Sequence, residues 1–290
     1  MRRRRRSSGR SICAACSRSD SDSRSPLPGR VTAALLILRC CARAPPRRAT
    51  ASQSHIAPCG AVAVLLTGDR VDAARCSASD APAVRRLGEA AGAAAAARSR
   101  LPAGTRVLPV CPSRYVGGAL AAYDDWLPSE TLDAAGLPLA YTGATGRRAW
   151  RRLAALLRSA GAPQHAPLTL LGFSKGAVPV NQLLAELAAS GDDAGEDAAD
   201  VAARMDALRR VHLLDAGAQR AGAAHLTDAA TLAALRGELK RRGVRVRVHG
   251  TPRQWAEPAH PWLVREANDF VRCAALFAAL IDLLFCPARV

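Results

Sequence analysis

The stretch Leu168-Thr169-Leu170-Leu171-Gly172-Phe173-Ser174-Lys175-Gly176 restricts the fold of this chain more than any other. An apolar run of strand character ends on G-x-S-x-G and passes without a spacer into an amphipathic pattern from Ala177 to Ala189. A strand that turns straight into a helix must reverse within a few residues. Gly172 and Gly176 flank the serine because side chains there would crowd the turn. Such a turn lifts the Ser174 hydroxyl above the sheet edge. It also aims the backbone N–H of Lys175, and the helix N-terminus behind it, at the space where an oxyanion would form. This is the geometry of a nucleophile elbow.

The rest of the chain supplies a matching scaffold. Short apolar runs at Ala61–Leu66, Val107–Val110, Leu168–Leu171, Val211–Leu214 and Val244–Val248 are mostly unalternated, as strands buried on both faces are. Helical spacing separates them over Ala83–Arg98, Arg147–Ala160, Lys175–Ala189, Val201–Arg209 and Thr227–Arg242, with a last helix from about Pro261 to Leu284. The alternation predicts an α/β, hydrolase-like fold: a mostly parallel sheet with helices on both faces and a site at the carboxyl ends of its strands. Val116–Thr145 and Ser190–Asp200 read as loops or insertions.

The strand ends carry the chemistry-bearing residues. Ser174 follows the third strand, Asp215 the fourth and His249 closes the fifth. That is the chain order of a hydrolase Ser-Asp-His triad. A serine hydroxyl needs an imidazole to take its proton, and the imidazole needs a carboxylate to hold its tautomer. Asp215 has a second reading, as a loop cap that bonds its own backbone. His260, on the loop after the fifth strand, is the alternative base. His225 lies in a small-residue loop, His212 within a strand, His165 at the wrong end of the elbow strand and His55 in the leader. Gly68 and Asp69 follow the first strand, where a second oxyanion N–H belongs; an ordinary turn is the competing reading. Lys175 reads as local charge or substrate attraction, because adjacent side chains at such a turn diverge. Cys111 reads as a buried thiol. No metal or organic cofactor is implied.

The net charge of +17 suggests nucleic acid until it is located. Residues 1–60 hold 13 Arg and 2 Asp, a balance of +11, leaving 28 basic and 22 acidic residues, or +6, for the remainder. No zinc-finger spacing or basic–aromatic stripe accompanies the charge, so a nucleic-acid partner is not expected. Residues 1–58, rich in Arg and Ser with no acid before Asp20, read as a disordered transit peptide, mitochondrial or alternatively plastid, ahead of a domain at 59–290. Val31–Leu38 is too short for a bilayer span, which takes about 20 apolar residues. The nine irregularly placed cysteines, five of them by residue 59, do not form a disulfide framework.

Several motifs together resemble a known family. Phe173-Ser174-Lys175-Gly176 followed by Asn181-Gln182-Leu183-Leu184, with Gly68-Asp69, Cys111-Pro112-Ser113-Arg114, Tyr123-Asp124, Leu214-Asp215, His249-Gly250-Thr251-Pro252 and Trp262, is similar to the family named for chromosome-two open reading frame sixty-nine. The resemblance runs in order from about Ala61 to Leu280. It implies an α/β-hydrolase-like fold, a mitochondrial address and serine hydrolase chemistry on an unknown substrate. The chain departs from the pattern at Ala216-Gly217-Ala218, where the family has Gly-Gly-His, and at Ala267, where the family has histidine. The expectation is a serine hydrolase acting on an ester, thioester or lipid-type acyl substrate. The alternative from another class is a non-catalytic scaffold or regulatory binder that keeps the elbow as architecture.

Overall fold

The computed structural model describes residues 60–70, 90–189, 195–218, 220–255 and 257–274. Five parallel strands form its sheet: β1 (Val62–Leu66), β2 (Arg106–Val110), β5 (Leu168–Phe173), β6 (Leu208–Leu214) and β7 (Arg245–His249), in the spatial order β2-β1-β5-β6-β7. The three middle strands are the most continuously buried. β2 lies at one edge, where Pro109 costs no interior ladder bond. β7 lies at the other, with Arg245 and Arg247 interrupting its apolar residues.

The pleat sends alternate side chains to opposite faces. Val62, Val64, Leu66, Leu168, Leu170, Val211 and Leu213 join the large core. Against them pack α2 (Arg148–Ser159), α3 (Ala177–Ala188), α4 (Ala198–Ala207), α5 (Ala229–Arg242) and part of α7 (Trp262–Ala274). Ala63, Leu65, Val107, Leu171 and Leu214 face the other way, onto Ala93, Ala94 and Ala97 of α1 (Ala90–Arg98). The expected two-faced α/β architecture is therefore present. The N-terminal part of the helix expected at Ala83–Arg98, the loop residues 190–194, and the end of the last helix lie outside the described residues, as does the leader.

Two expectations need correction. The elbow helix α3 is not amphipathic in place: all 12 of its residues are buried. Its polar side chains are bonded inside. Glu186 accepts from the N–H groups of Ala149 (3.0 Å) and Trp150 (3.1 Å), so its carboxylate sits at the N-terminus of α2, where negative charge is favoured. Gln182 donates to Thr142 O at 2.7 Å and Asn181 to Ala224 O at 2.9 Å. The segment Val116–Thr145 is not all loop. It contributes to an antiparallel hairpin of β3 (Arg114–Val116) and β4 (Leu120–Ala122), turned at Gly117 and Gly118, both at positive φ (57° and 76°).

Candidate functional site

At the carboxyl end of β5 the backbone is strained. Ser174 has φ 52°, a left-handed conformation that side chains disfavour by about 1–2 kcal/mol. Such strain persists only where surroundings impose it, and it concentrates at functional sites. The surroundings are close packing. A methyl group on Gly172 would stand 2.8 Å from Gly176 O and 2.9 Å from Val180 Cγ2. One on Gly176 would collide with the backbone of Leu66. Both elbow glycines are thus sterically required.

Gly68, at the end of β1, completes the crowding. A Cβ there would lie 2.6 Å from Ser174 Cβ and 2.9 Å from Phe173 O. The β1 loop therefore runs against the serine, the placement an oxyanion loop needs. Asp69 follows; its Oδ1 accepts from Ala121 N–H at 2.7 Å and stands 3.8 Å from Lys175 Nζ. The Lys175 side chain is 2% exposed, and its ammonium finds no hydrogen-bond acceptor among the described residues. Burial pushes its pKa down from the usual lysine value, while Asp69 and then Asp133 pull it back up.

Asp215 ends β6 beside the elbow, since Phe173 pairs with Leu214. It too is left-handed, at φ 50°. Its N–H donates to His249 O at 2.7 Å, and its Oδ1 accepts from both the N–H and the hydroxyl of Thr251, each at 3.1 Å. The carboxylate is thus tied to Thr251, which lies between the two candidate bases, His249 at the end of β7 and His260 beyond it.

The imidazoles are placed differently from the serine and aspartate. His249 stands two strands from the elbow, roughly 10 Å at the usual strand spacing. Pairing with Leu214 puts its side chain on the α1 face, and its Nε2 lies 3.2 Å from His212 Nδ1. The two rings stack at 5.4 Å, and both are buried. Burial, then the charges of His249, Arg247 and Arg210, pushes His212 down to about 3. Trp255 of the short helix α6 (Pro252–Trp255) packs directly on Gly250. His260 is half-buried in the turn before α7, edge-on to Trp262 at 4.9 Å. Among the described residues no imidazole hydrogen-bonds to Ser174 Oγ. The structure thus brings Ser174, Gly68, Lys175, Asp69 and Asp215 together and turns His249 toward His212.

Three features escaped sequence reading. His225 is fully enclosed, stacked on Phe270 at 5.6 Å, and its Nδ1 has no hydrogen-bond partner among the described residues; burial pushes it down to about 4. Glu266 gathers the loop after Asp215 by accepting from the N–H groups of Gly222 (2.6 Å), Ala224 (3.2 Å) and His225 (3.3 Å). Neither residue belongs to a local motif. Tyr123, quoted above only within a resemblance, donates from its hydroxyl to Thr67 O at 2.5 Å. Cys111, expected to be a buried thiol, is exposed, because it lies just past the edge strand. Among the described residues no group of three or more His, Cys, Asp or Glu could hold a metal ion. No helix among them is long and apolar enough to cross a membrane.

Comparison with known proteins agrees with the motifs. The model of the C2orf69 family matches residues 58–279. The chain belongs to this family. Among its relatives are the mitochondrial protein C2orf69 homologues of Danio rerio, 33% identical over 105 residues, and Mus musculus, 34% identical over 107 residues. These stretches cover 36% and 37% of this chain but 28% and 27% of the relatives. The human mitochondrial protein C2orf69 is 34% identical over 107 residues, 37% of this chain and 26% of the relative. The match therefore spans little more than a quarter of each relative's length. The relatives' names support a mitochondrial localisation.

Proposed function

We propose that the chain is a mitochondrial serine hydrolase acting on an ester, thioester or lipid-type acyl substrate, with Ser174 as nucleophile. One observation carries the reading: Ser174 is held at φ 52° at a strand end while the Gly68 backbone packs against it. Elbow strain of this kind serves a nucleophile and has no packing benefit of its own. Ser174 Oγ attacks the acyl carbonyl, and the carbonyl oxygen becomes an oxyanion received by the N–H groups of Lys175 and Gly68, on the Gly68–Asp69 turn. Collapse breaks the bond to the leaving alcohol or thiol, which takes the proton removed from the serine. Water then hydrolyses the acyl-serine. Asp215 orients the imidazole that carries the proton.

That imidazole belongs to the stretch from His249 to His260, which Asp215 already bonds at the His249 carbonyl and at Thr251. His249 serves if its Nε2 exchanges His212 for the serine; His260 serves if its turn folds over Asp215. Residues 1–58 act as the mitochondrial address and 59–290 as the catalytic domain.

The test is labelling of the folded protein by a fluorophosphonate probe. Labelling lost in Ser174→Ala, and in one of His249→Ala and His260→Ala, supports the reading and names the base. The His249–His212 contact favours a second reading, a non-catalytic scaffold that retains the elbow. Folded wild-type protein that takes up no probe would establish that second reading instead.

A further inference from the structure

The proposed reaction needs the Gly68 N–H to point at the space above Ser174, and nothing in Gly68 itself enforces this. A glycine peptide flips more readily than any other. The neighbouring contacts are therefore decisive, and they come from one place. Tyr123 OH donates to Thr67 O at 2.5 Å. Asp69 Oδ1 accepts from Ala121 N–H at 2.7 Å. Arg70 N–H donates to Ala119 O at 2.8 Å, and the Arg70 guanidinium lies over the Tyr115 ring at 4.0 Å. Every one of these partners lies on the β3–β4 hairpin or one residue from its ends.

Thr67 O and the Gly68 N–H belong to a single peptide unit. In a planar trans peptide the carbonyl and the N–H point in opposite directions. A hydroxyl that holds Thr67 O on the hairpin side therefore holds the Gly68 N–H on the other side. Gly68 itself runs against the elbow, since a Cβ on it would lie 2.6 Å from Ser174 Cβ, so the peptide whose plane Tyr123 fixes borders Ser174. On the basis of the function proposed above, we infer that Tyr123 is a positioning residue: through Thr67 O it sets the peptide plane that presents the Gly68 N–H to the oxyanion.

The hairpin is built to hold this residue still. Tyr123 is 1% exposed and meets Trp126 edge-on at 6.5 Å. Burial drives its pKa upward, so the phenol stays a donor across the physiological range. The hairpin is anchored in turn by Ser113 and Arg114, whose side chains bond Asp125 and Asp124, and by Arg152 of α2, paired with Asp125.

The experiment compares Tyr123→Phe with Tyr141→Phe. Tyr141 is an internal control: its hydroxyl also donates to a backbone carbonyl, Ala223 O, at 2.6 Å, but away from the β1 loop. Both variants lose a hydroxyl that donates to a backbone carbonyl and keep the ring. The substrates are a p-nitrophenyl ester and its thiono counterpart, whose sulfur is a poor acceptor. In Tyr123→Phe kcat falls about 10- to 100-fold with KM within about twofold, a partial version of the 10²–10³ loss from removing a donor. Its oxygen-to-sulfur rate ratio falls toward one, while Tyr141→Phe keeps the wild-type ratio. An unchanged ratio in Tyr123→Phe, or equal losses in both variants, overturns the inference. The residual dipolar coupling of the Gly68 N–H, which reports its orientation, separates its failure from failure of the parent reading. Tyr123→Phe changes this coupling at Gly68 and spares Lys175–Ala177, whether or not the wild type turns over ester. If the coupling at Gly68 is unaltered the positioning role is wrong. If the wild type is inert to ester and probe alike, the hydrolase reading fails, and the catalytic role of Tyr123 fails with it.

Discussion

The ends of β5 and β7 both carry residues that suggest chemistry, and they are built in opposite ways. At the β5 end the backbone is bent into a disfavoured conformation, two glycines are needed for it, and a third glycine brings another loop against the serine. The buried Lys175 ammonium there has Asp69 Oδ1 at 3.8 Å and no hydrogen-bond acceptor among the described residues. At the β7 end, the imidazole of His249 packs against His212 on the α1 face, and the Trp255 indole closes over Gly250. The first end spends conformational energy to hold a group in place, and the second resembles core. A polar residue at a strand end is therefore a weak indicator of function until its backbone and partners are known.

The largest effect expected from this contrast is steric. Gly176→Ala drives a methyl into the Leu66 backbone, which cannot move without shifting β1, and should cost about 3 kcal/mol or more in urea unfolding. Gly250→Ala meets only an indole, which can swing aside, and should cost less. Equal losses would erase the distinction between the two ends.

Next comes pH. His212 is held near 3 in the fold against about 6.5 unfolded, chiefly by burial. Between those values the unfolded chain binds the extra proton, so stability rises with pH there and is lost as pH falls from about 6.5. The loss should reach roughly 3 kcal/mol by pH 4, measured as the urea midpoint against pH. His212→Gln should remove this contribution and leave the one from His225, which burial holds down to about 4. Variants at the β5 end, such as Ser174→Ala, should leave the shape of the curve unchanged.

Smaller effects separate the left-handed residues Ser174 and Asp215. Thr251→Val removes the hydroxyl's bond to Asp215 Oδ1 and the one it accepts from Gln254 N–H, and should cost about 2 kcal/mol. Ser174→Gly relieves the φ 52° strain and should gain about 1 kcal/mol, raising Tm by a few degrees while abolishing probe labelling. A Ser174→Gly protein less stable than wild type would show that the hydroxyl contributes to the fold and would weaken the case for a nucleophile.

Much of the fold was legible in the residues. The five strands lie within a few residues of the apolar runs that announced them, because parallel strands covered on both faces need unbroken apolar stretches. The elbow was legible for a similarly local reason: a strand, two glycines and a helix start leave one way to turn. The β3–β4 hairpin was not. Its strands have three residues each, too few for a period, and the Gly117-Gly118 turn resembles any loop. Burial around the whole of α3 was hidden as well, since Asn181, Gln182 and Glu186 read as a polar face until their partners at Ala224, Thr142 and Ala149 were in place.

By itself, then, the sequence determined the family, the α/β layers and the serine at the tip of β5, each read from short local patterns and their order along the chain. Only the tertiary structure decided where His249 points, what Tyr123 holds and which glycine touches Ser174. These depend on strand order and on the register between strands. A pleat sends a side chain to one face or the other by its parity, but its neighbour on that face comes from a strand far away in the chain. His212 and His249 lie 37 residues apart and meet at 3.2 Å; Tyr123 and Thr67 lie 56 apart and meet at 2.5 Å.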